Sequence, residues 1–357
     1  MQAFVYNAQA ARVIFGAGTL AQIAQEAELL HMQRALVLCT PEQLAQAQRV
    51  AGLLGNKAVG IYAKAVMHVP METARAACDE AKGLNADGLV AFGGGSTTGL
   101  AKAIALETGL PILAIPTTYA GSEMTSIYGI TDGGIKKTGK DPRVLPRSVI
   151  YDPELSMSLS LGLTITSGMN AIAHAAEGLY AQDRNPMTRL MAMEGIASLA
   201  KALPLIRQHA DDPQGRALAL YGAWLCGSVL GSVGMALHHK LCHTLGGSFN
   251  LPHAEVHTVV LPHALAFNAS AAPEAMQDLA HALGVNNGPL GVYQLAKDNG
   301  APVALKDIGM KAADLDVAAD LAVKQPYWNP RPFGLPQRDE IRGLLQRAFD
   351  GSPPVYG

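Results

Sequence analysis

The chain has 357 residues, with 27 Lys and Arg against 29 Asp and Glu, and 49% of it is hydrophobic. A net charge of −2 with no run of like charges speaks against a nucleic-acid or membrane-surface role, and no apolar stretch reaches the roughly 18–20 residues that cross a bilayer. The length exceeds one usual hydrophobic core, so two domains are expected.

The opening MQAFVYNAQAARVIF has no basic start leading into an apolar core, so no secretory leader is expected. Cys39, Cys78, Cys226 and Cys242 are scattered, without CxxC spacing, and read as reduced thiols of a cytoplasmic protein.

Residues 1–159 alternate between short apolar runs and amphipathic segments of helical length. Strands are expected at 35–39 (ALVLC), 58–62 (AVGIY), 88–92 (GLVAF), 112–115 (ILAI) and 148–151 (SVIY). Helices are expected between them at 20–29, 41–53, 72–82 and 98–107. Strict alternation implies crossover connections, hence an α/β domain with a parallel, Rossmann-like sheet. After Asp152-Pro153 the strand-like runs fade, and Ala/Leu/Met-rich segments take over at 168–182, 187–209, 215–227 and 235–245. Residues 160–357 are therefore expected to form an all-helical domain, with a cleft between the two.

Two glycine clusters compete for a phosphate. GAGTLA at 16–21 fits a loose dinucleotide fingerprint, but no acidic residue follows about 20 positions on, so its plain reading is a tight turn into a helix. Gly93-Gly94-Gly95-Ser96 directly follows the apolar GLVAF and opens a helix, where free amides and the helix dipole favour an anion. The next strand ends in PTTYAGSE at 116–123, a second glycine- and hydroxyl-bearing loop on the same carboxyl edge. Together they predict a nucleotide site.

The helical half carries most of the histidines. Asn170 and His174 are four apart, as are His239 and His243, so each pair shares a helix face. His253 is expected in the loop NLPHAEVH, with His257 four further on. Convergence on one site is the expectation, and three imidazoles raise the question of a metal. The fourth group at hand is a neutral amide, Asn170. Glu177, three beyond His174, could supply an anion there, but its plainer reading is a surface salt bridge.

At this point the combination GGGS, PTTxxGSE, the Asp-Pro at 152, GMNAxxHAxEG and HxxxHxLGxxxxxPH resembles the iron-containing alcohol dehydrogenases, in order from about residue 13 to 268. In that family an aspartate and three histidines bind iron or zinc, and the matching positions are Asn170, His174, His239 and His253, so the aspartate is missing. That departure, with PTTYAGSEMTS and PYWNPRPF, resembles the branch that reduces the carbon–carbon double bond of maleylacetate to 3-oxoadipate in bacterial degradation of aromatic compounds. The resemblance implies a homodimer and metal-independent reduction. It places the pyrophosphate on Gly94, Gly95 and Ser96, the nicotinamide near Thr117, Thr118 and Ser122, and the ribose near Lys137 or its neighbour Lys136. Where many relatives carry an aspartate this chain has Thr40, and with no arginine there NADH is expected over NADPH.

The expected reaction brings hydride to an enone-like carbon, and the developing charge calls for donors. His243, His253, His239, His174 and Tyr119 are the catalytic candidates. A dicarboxylate also needs a cation, and Arg331 in NPRPF is the expected anchor, with Asn170 beside the substrate. The competing expectation is a metal-dependent alcohol or polyol dehydrogenase using His174, His239 and His253 as ligands.

Overall fold

The computed structural model of the protein describes residues 4, 6, 8, 11–133, 135–324 and 337–355. It divides into two compact bodies, one of Ala8–Leu159 and the other of Met1–Asn7 with Ser160–Gly357.

The first body runs β1 (Arg12–Phe15), α1 (Ile23–Leu29), β2 (Ala35–Leu38), α2 (Leu44–Leu54), β3 (Ala58–Tyr62), α3 (Met71–Gly83), β4 (Gly88–Gly93), α4 (Gly95–Thr108), β5 (Ile112–Pro116), β6 (Ile127–Asp132), β7 (Ile135–Lys140) and β8 (Ser148–Tyr151). Six strands form one parallel sheet in the order β1-β8-β5-β4-β2-β3. Val37 pairs with Val90, and Val90 with Leu113, so the central strands are apolar on both faces, as helix-covered parallel strands must be. The five strands expected from sequence all appear. The edge strand β1 and the antiparallel ribbon β6–β7 do not announce themselves, because RVIF is short and IKKTGK is polar.

β2 lies between β3 and β4, so the chain leaves β3 and crosses back over β2 to build β4. This reversal is the topological switch point of an open α/β sheet, where ligands settle at the carboxyl ends of the strands.

The second body is helical: α5 (Leu161–Gly178), α6 (Pro186–Gln208), α7 (Pro213–Ser232), α8 (Leu237–Phe249), α9 (His253–Asn268), α10 (Pro273–Leu283), α11 (Gly288–Asp298), α12 (Asp314–Lys324) and α13 (Arg338–Asp350). Local chemistry starts these helices. Asn185 caps α6 in a reciprocal box with Thr188, followed by Pro186, and the Asp212 carboxylate accepts from the amide of Gly215 at 2.7 Å to open α7. α5 is buried throughout Thr164–Gly178. Side chains at Gly168 and Gly178 would overlap Leu203 and Val229, so these glycines let α5 run close against α6 and α7.

His253 is not in a loop, as expected from sequence, but opens α9 behind Pro252. Proline at the cap ends the approach segment 250–252 and frees the next residue to begin the helix. Among the described residues, no single helix is long and apolar enough to cross a membrane.

Candidate active site

In the first body the residues expected to hold a nucleotide converge on the switch point. Gly93 has φ 150°, and a Cβ there would meet Thr97 Oγ1 at 2.5 Å and Gln43 Oε1 at 2.7 Å. Gly94 caps α4 without a side-chain bond, and a Cβ on it would press Thr118 at 2.9 Å. Gly95 and Ser96 form the first turn of that 14-residue helix, a start that presents backbone amides. The Thr117 amide donates to the Gly93 carbonyl at 3.1 Å, and Gln43 Nε2 donates to Thr117 Oγ1 at 3.0 Å. Thr40 hydrogen-bonds Gln43 at 3.4 Å. Thr40, Gly93 to Ser96, Thr117 and Thr118 therefore form one cradle.

Ser122 sits on the short helix Ser122–Met124, behind Gly121 in the left-handed region. Its carbonyl is gripped by a residue that sequence reasoning missed. The buried Lys102 ammonium, on α4, donates to the carbonyls of Ser122, Thr125 and Ile127 at 2.6, 2.8 and 2.7 Å, and to Thr125 Oγ1 at 2.9 Å. Tyr119 is fully buried in the same loop. Lys137 lies on the β6–β7 ribbon, where its exposed ammonium pairs with Asp132 at 2.9 Å.

GAGTLA is a tight turn, as its plain reading had it. The amides of Gly18 and Leu20 donate to the Asp152 carboxylate at 3.2 and 3.0 Å, so they are already occupied.

In the helical body the histidines gather as expected, and more tightly. Ring centroids lie 5.3 Å apart for His174 and His239, 6.1 Å for His239 and His243, 5.0 Å for His239 and His257, and 4.3 Å for His253 and His257. His238, which the sequence reading passed over, joins them, with Nε2 3.0 Å from His257 Nδ1. Burial, helped by the neighbouring imidazoles, holds His174, His238 and His257 well below the usual imidazole pKa, so these rings are neutral near pH 7.

Glu177 is not a surface group. It is fully buried, one turn beyond His174 on α5, and its carboxylate accepts from His239 Nδ1 at 2.7 Å. It also accepts from the amides of Ala236 and His238 at 2.9 and 2.8 Å, at the start of α8. A lone charge in the apolar run GMNAIAHAAEGLYA is the signal that could have exposed it, since an unpaired glutamate would not be tolerated there.

Asn170 Oδ1, His174 Nδ1 and His239 Nε2 are buried without a hydrogen-bond partner. Asn170 Oδ1 is an uncharged amide oxygen and burial keeps the His174 ring neutral, so neither brings an anion, and the carboxylate bonded to the cluster is spent on His239 Nδ1 and the α8 amides. His238, Cys242 and His257 also bring ligand-type atoms within 4.8 Å of one another. There, however, the facing nitrogens of His238 and His257 already share a proton, and burial holds the Cys242 thiol protonated. Arg331 lies outside the described residues.

Profiles described as iron-containing alcohol dehydrogenase and as the C-terminal part of the Fe-containing alcohol dehydrogenase family match residues 10–153 and 164–349. A maleylacetate reductase of Burkholderia cepacia is 59% identical, over 99% of this chain and 100% of its own. The crystal structure of a maleylacetate reductase from Agrobacterium tumefaciens superposes with a TM-score of 0.95 at 51% identity, covering 99% of this chain and 100% of that one. A 1,3-propanediol oxidoreductase shares the fold at 25% identity, with a TM-score of 0.91 over 98% of this chain and 100% of that one. The chain belongs to the iron-containing alcohol dehydrogenase family. It is an oxidoreductase.

Proposed function

We propose that this enzyme reduces the carbon–carbon double bond of maleylacetate to 3-oxoadipate with NADH, and that it does so without a bound metal. The observation that carries this reading is the missing anionic ligand. Asn170 supplies an amide where the family pattern has an aspartate, and it stands beside a cluster of imidazoles. A divalent cation at Asn170, His174 and His239 would meet no anionic ligand, since the Glu177 carboxylate reaches it only through His239 Nδ1, and a buried charge without a directly bound anion is costly. Full-length relatives described as maleylacetate reductases, 50–59% identical, support the substrate.

The roles follow from the chemistry. The amides of Gly94, Gly95 and Ser96 hold the pyrophosphate, Thr117, Thr118 and Ser122 flank the nicotinamide, and Lys137 meets a ribose hydroxyl. Thr40 leaves no cation for a 2′-phosphate, which supports NADH. Hydride passes from the dihydronicotinamide to the alkene carbon remote from the ketone. The π electrons move to the ketone oxygen as an enolate, and the adjacent carbon then takes a proton, giving the saturated ketone. His243 and His253, with Tyr119, donate to the developing oxyanion, and Arg331 binds a carboxylate bidentately. His174 and Asn170 line the substrate.

The test is direct. Chelator-treated protein should oxidise NADH when maleylacetate is added, with 3-oxoadipate as product. Activity that vanishes with chelation and returns with iron or zinc would overturn the metal-free reading, and absence of maleylacetate-dependent oxidation would overturn the substrate.

The alternative is a metal-dependent alcohol dehydrogenase, favoured by the unpartnered Asn170 Oδ1, His174 Nδ1 and His239 Nε2. The same chelation experiment decides between them.

A further inference from the structure

We propose that Glu177 is a positioning residue that acts through His239, fixing its ring so that Nδ1 carries the proton and Nε2 carries the lone pair. The inference deepens the reading above and rests on it for the identity of the reaction.

A carboxylate offers only acceptors, so the 2.7 Å contact makes His239 Nδ1 the donor. Every other partner of Glu177 is a donor too. Oε1 receives the His238 amide at 2.8 Å and the Tyr180 hydroxyl at 3.3 Å, while Oε2 receives the amides of Ala236 and His239 at 2.9 and 3.4 Å. Both oxygens are thereby held in place, and the ring cannot turn over without breaking its bond to one of them. On the far side of the ring, Nε2 is buried and has no hydrogen-bond partner.

The arrangement ties the backbone to the side chain. The segment between α7 and α8 turns through 97°, and the same carboxylate that orients His239 collects the first amides of α8. Glu177 also follows His174 by three residues on α5. One group thus sets the start of α8, the rotamer of His239, and the placement of His239 against His174, whose ring planes meet at 30°. A histidine so held enters the reaction as a hydrogen-bond acceptor toward water, and donation falls to His243 and His253. Carboxylates that orient metal-ligating histidines in this geometry are worth about 10- to 100-fold, and a loss of that order is expected for the ring held here.

Two measurements on the full-length enzyme test this. Long-range proton–nitrogen NMR of histidine-labelled protein, followed over a pH series, should show His239 as the Nδ1–H tautomer in its singly protonated form, its signals identified by their loss in His239→Ala. An Nε2–H tautomer in the wild type overturns the proposal without any need for a Glu177 variant. The second measurement is a double-mutant cycle. Glu177→Gln should lower kcat/KM about 10- to 100-fold, with Glu177→Asp recovering part of the loss because it keeps the charge. In a His239→Ala background the Glu177→Gln change should alter kcat/KM by less than about twofold. Multiplying losses in the double variant would mean that Glu177 serves only to cap α8, and would also overturn the proposal. A wild type inactive on maleylacetate would instead sink the substrate assignment and leave the tautomer result standing.

Discussion

His238 Nε2 and His257 Nδ1 face each other at 3.0 Å inside the helical body, and neither ring is exposed. Two imidazoles in that position can share one proton but cannot both be charged. With His174 and with His263, which burial lowers to about 4, they form a set that refuses protons in the native state.

Stability should therefore fall on the acid side. The unfolded chain takes up protons at these histidines from about pH 6.5 downward, while the native chain does not, so unfolding becomes progressively easier toward acid. For His263 the loss runs until about pH 4. Each such histidine contributes up to about 1.4 kcal/mol per pH unit. Thermal melts should be nearly flat from neutral pH upward and drop steeply below about pH 6. Both nitrogens of His263 are unpartnered, so His263→Leu should hold or raise Tm and make that acid slope shallower. A Tm at about pH 5 equal to that at about pH 7 would contradict the account.

Lys102 predicts the behaviour of the loop it grips. Lys102→Met removes a donor from three carbonyls and a hydroxyl, of which the Thr125 carbonyl and hydroxyl contacts are buried, a loss of about 2–4 kcal/mol. Because the loop includes Ser122, KM for NADH should rise with the fall in Tm. A variant with the wild-type KM would detach this loop from the cofactor.

Gly93 gives a sharper test of the cradle. Gly93→Ala imposes a Cβ at φ 150°, against Thr97 Oγ1 and Gln43 Oε1. The expected cost is about 1–3 kcal/mol. Fluorescence titration should report NADH binding weakened about tenfold, equivalent to about 1.4 kcal/mol. Unchanged binding would place the nucleotide elsewhere.

Arg331→Met should raise KM for maleylacetate about tenfold or more, the worth of one charge-assisted bidentate pair, while KM for NADH stays constant. Equal rises in both constants would assign Arg331 a structural role.

Asn170→Asp should bring an anion to the donor set, and calorimetry with zinc should show tighter binding than in the wild type. If zinc binds the wild type equally well, the amide is not what discourages the ion.

Much of this could be read in the sequence, and the exceptions share a cause. The strand at 88–93 and the helix after it are legible because apolar residues stop at glycines that only a close turn needs. The histidines at 174, 239 and 243 are legible as candidates from helical spacing, and His253 reads as a loop histidine joining them. The buried roles of Glu177 and Lys102 were not legible, because many of their partners are backbone groups far along the chain: the amides of Ala236 and His238 for one, the carbonyls of Ser122 to Ile127 for the other. Backbone donors and acceptors leave no mark in residue identity. The signal available is the isolated charge itself, within HAAEG and TTGLAK.

The Asp152 carboxylate seated on the amides of Gly18 and Leu20 acts as a resident anion. It satisfies a glycine turn that would otherwise invite a diphosphate, and it welds the end of β8 to the first helical turn after β1. Ordering of that corner is thereby independent of nucleotide loading. Deuterium uptake at residues 16–22 should be the same with and without NADH, while protection appears around 93–98 and 117–125.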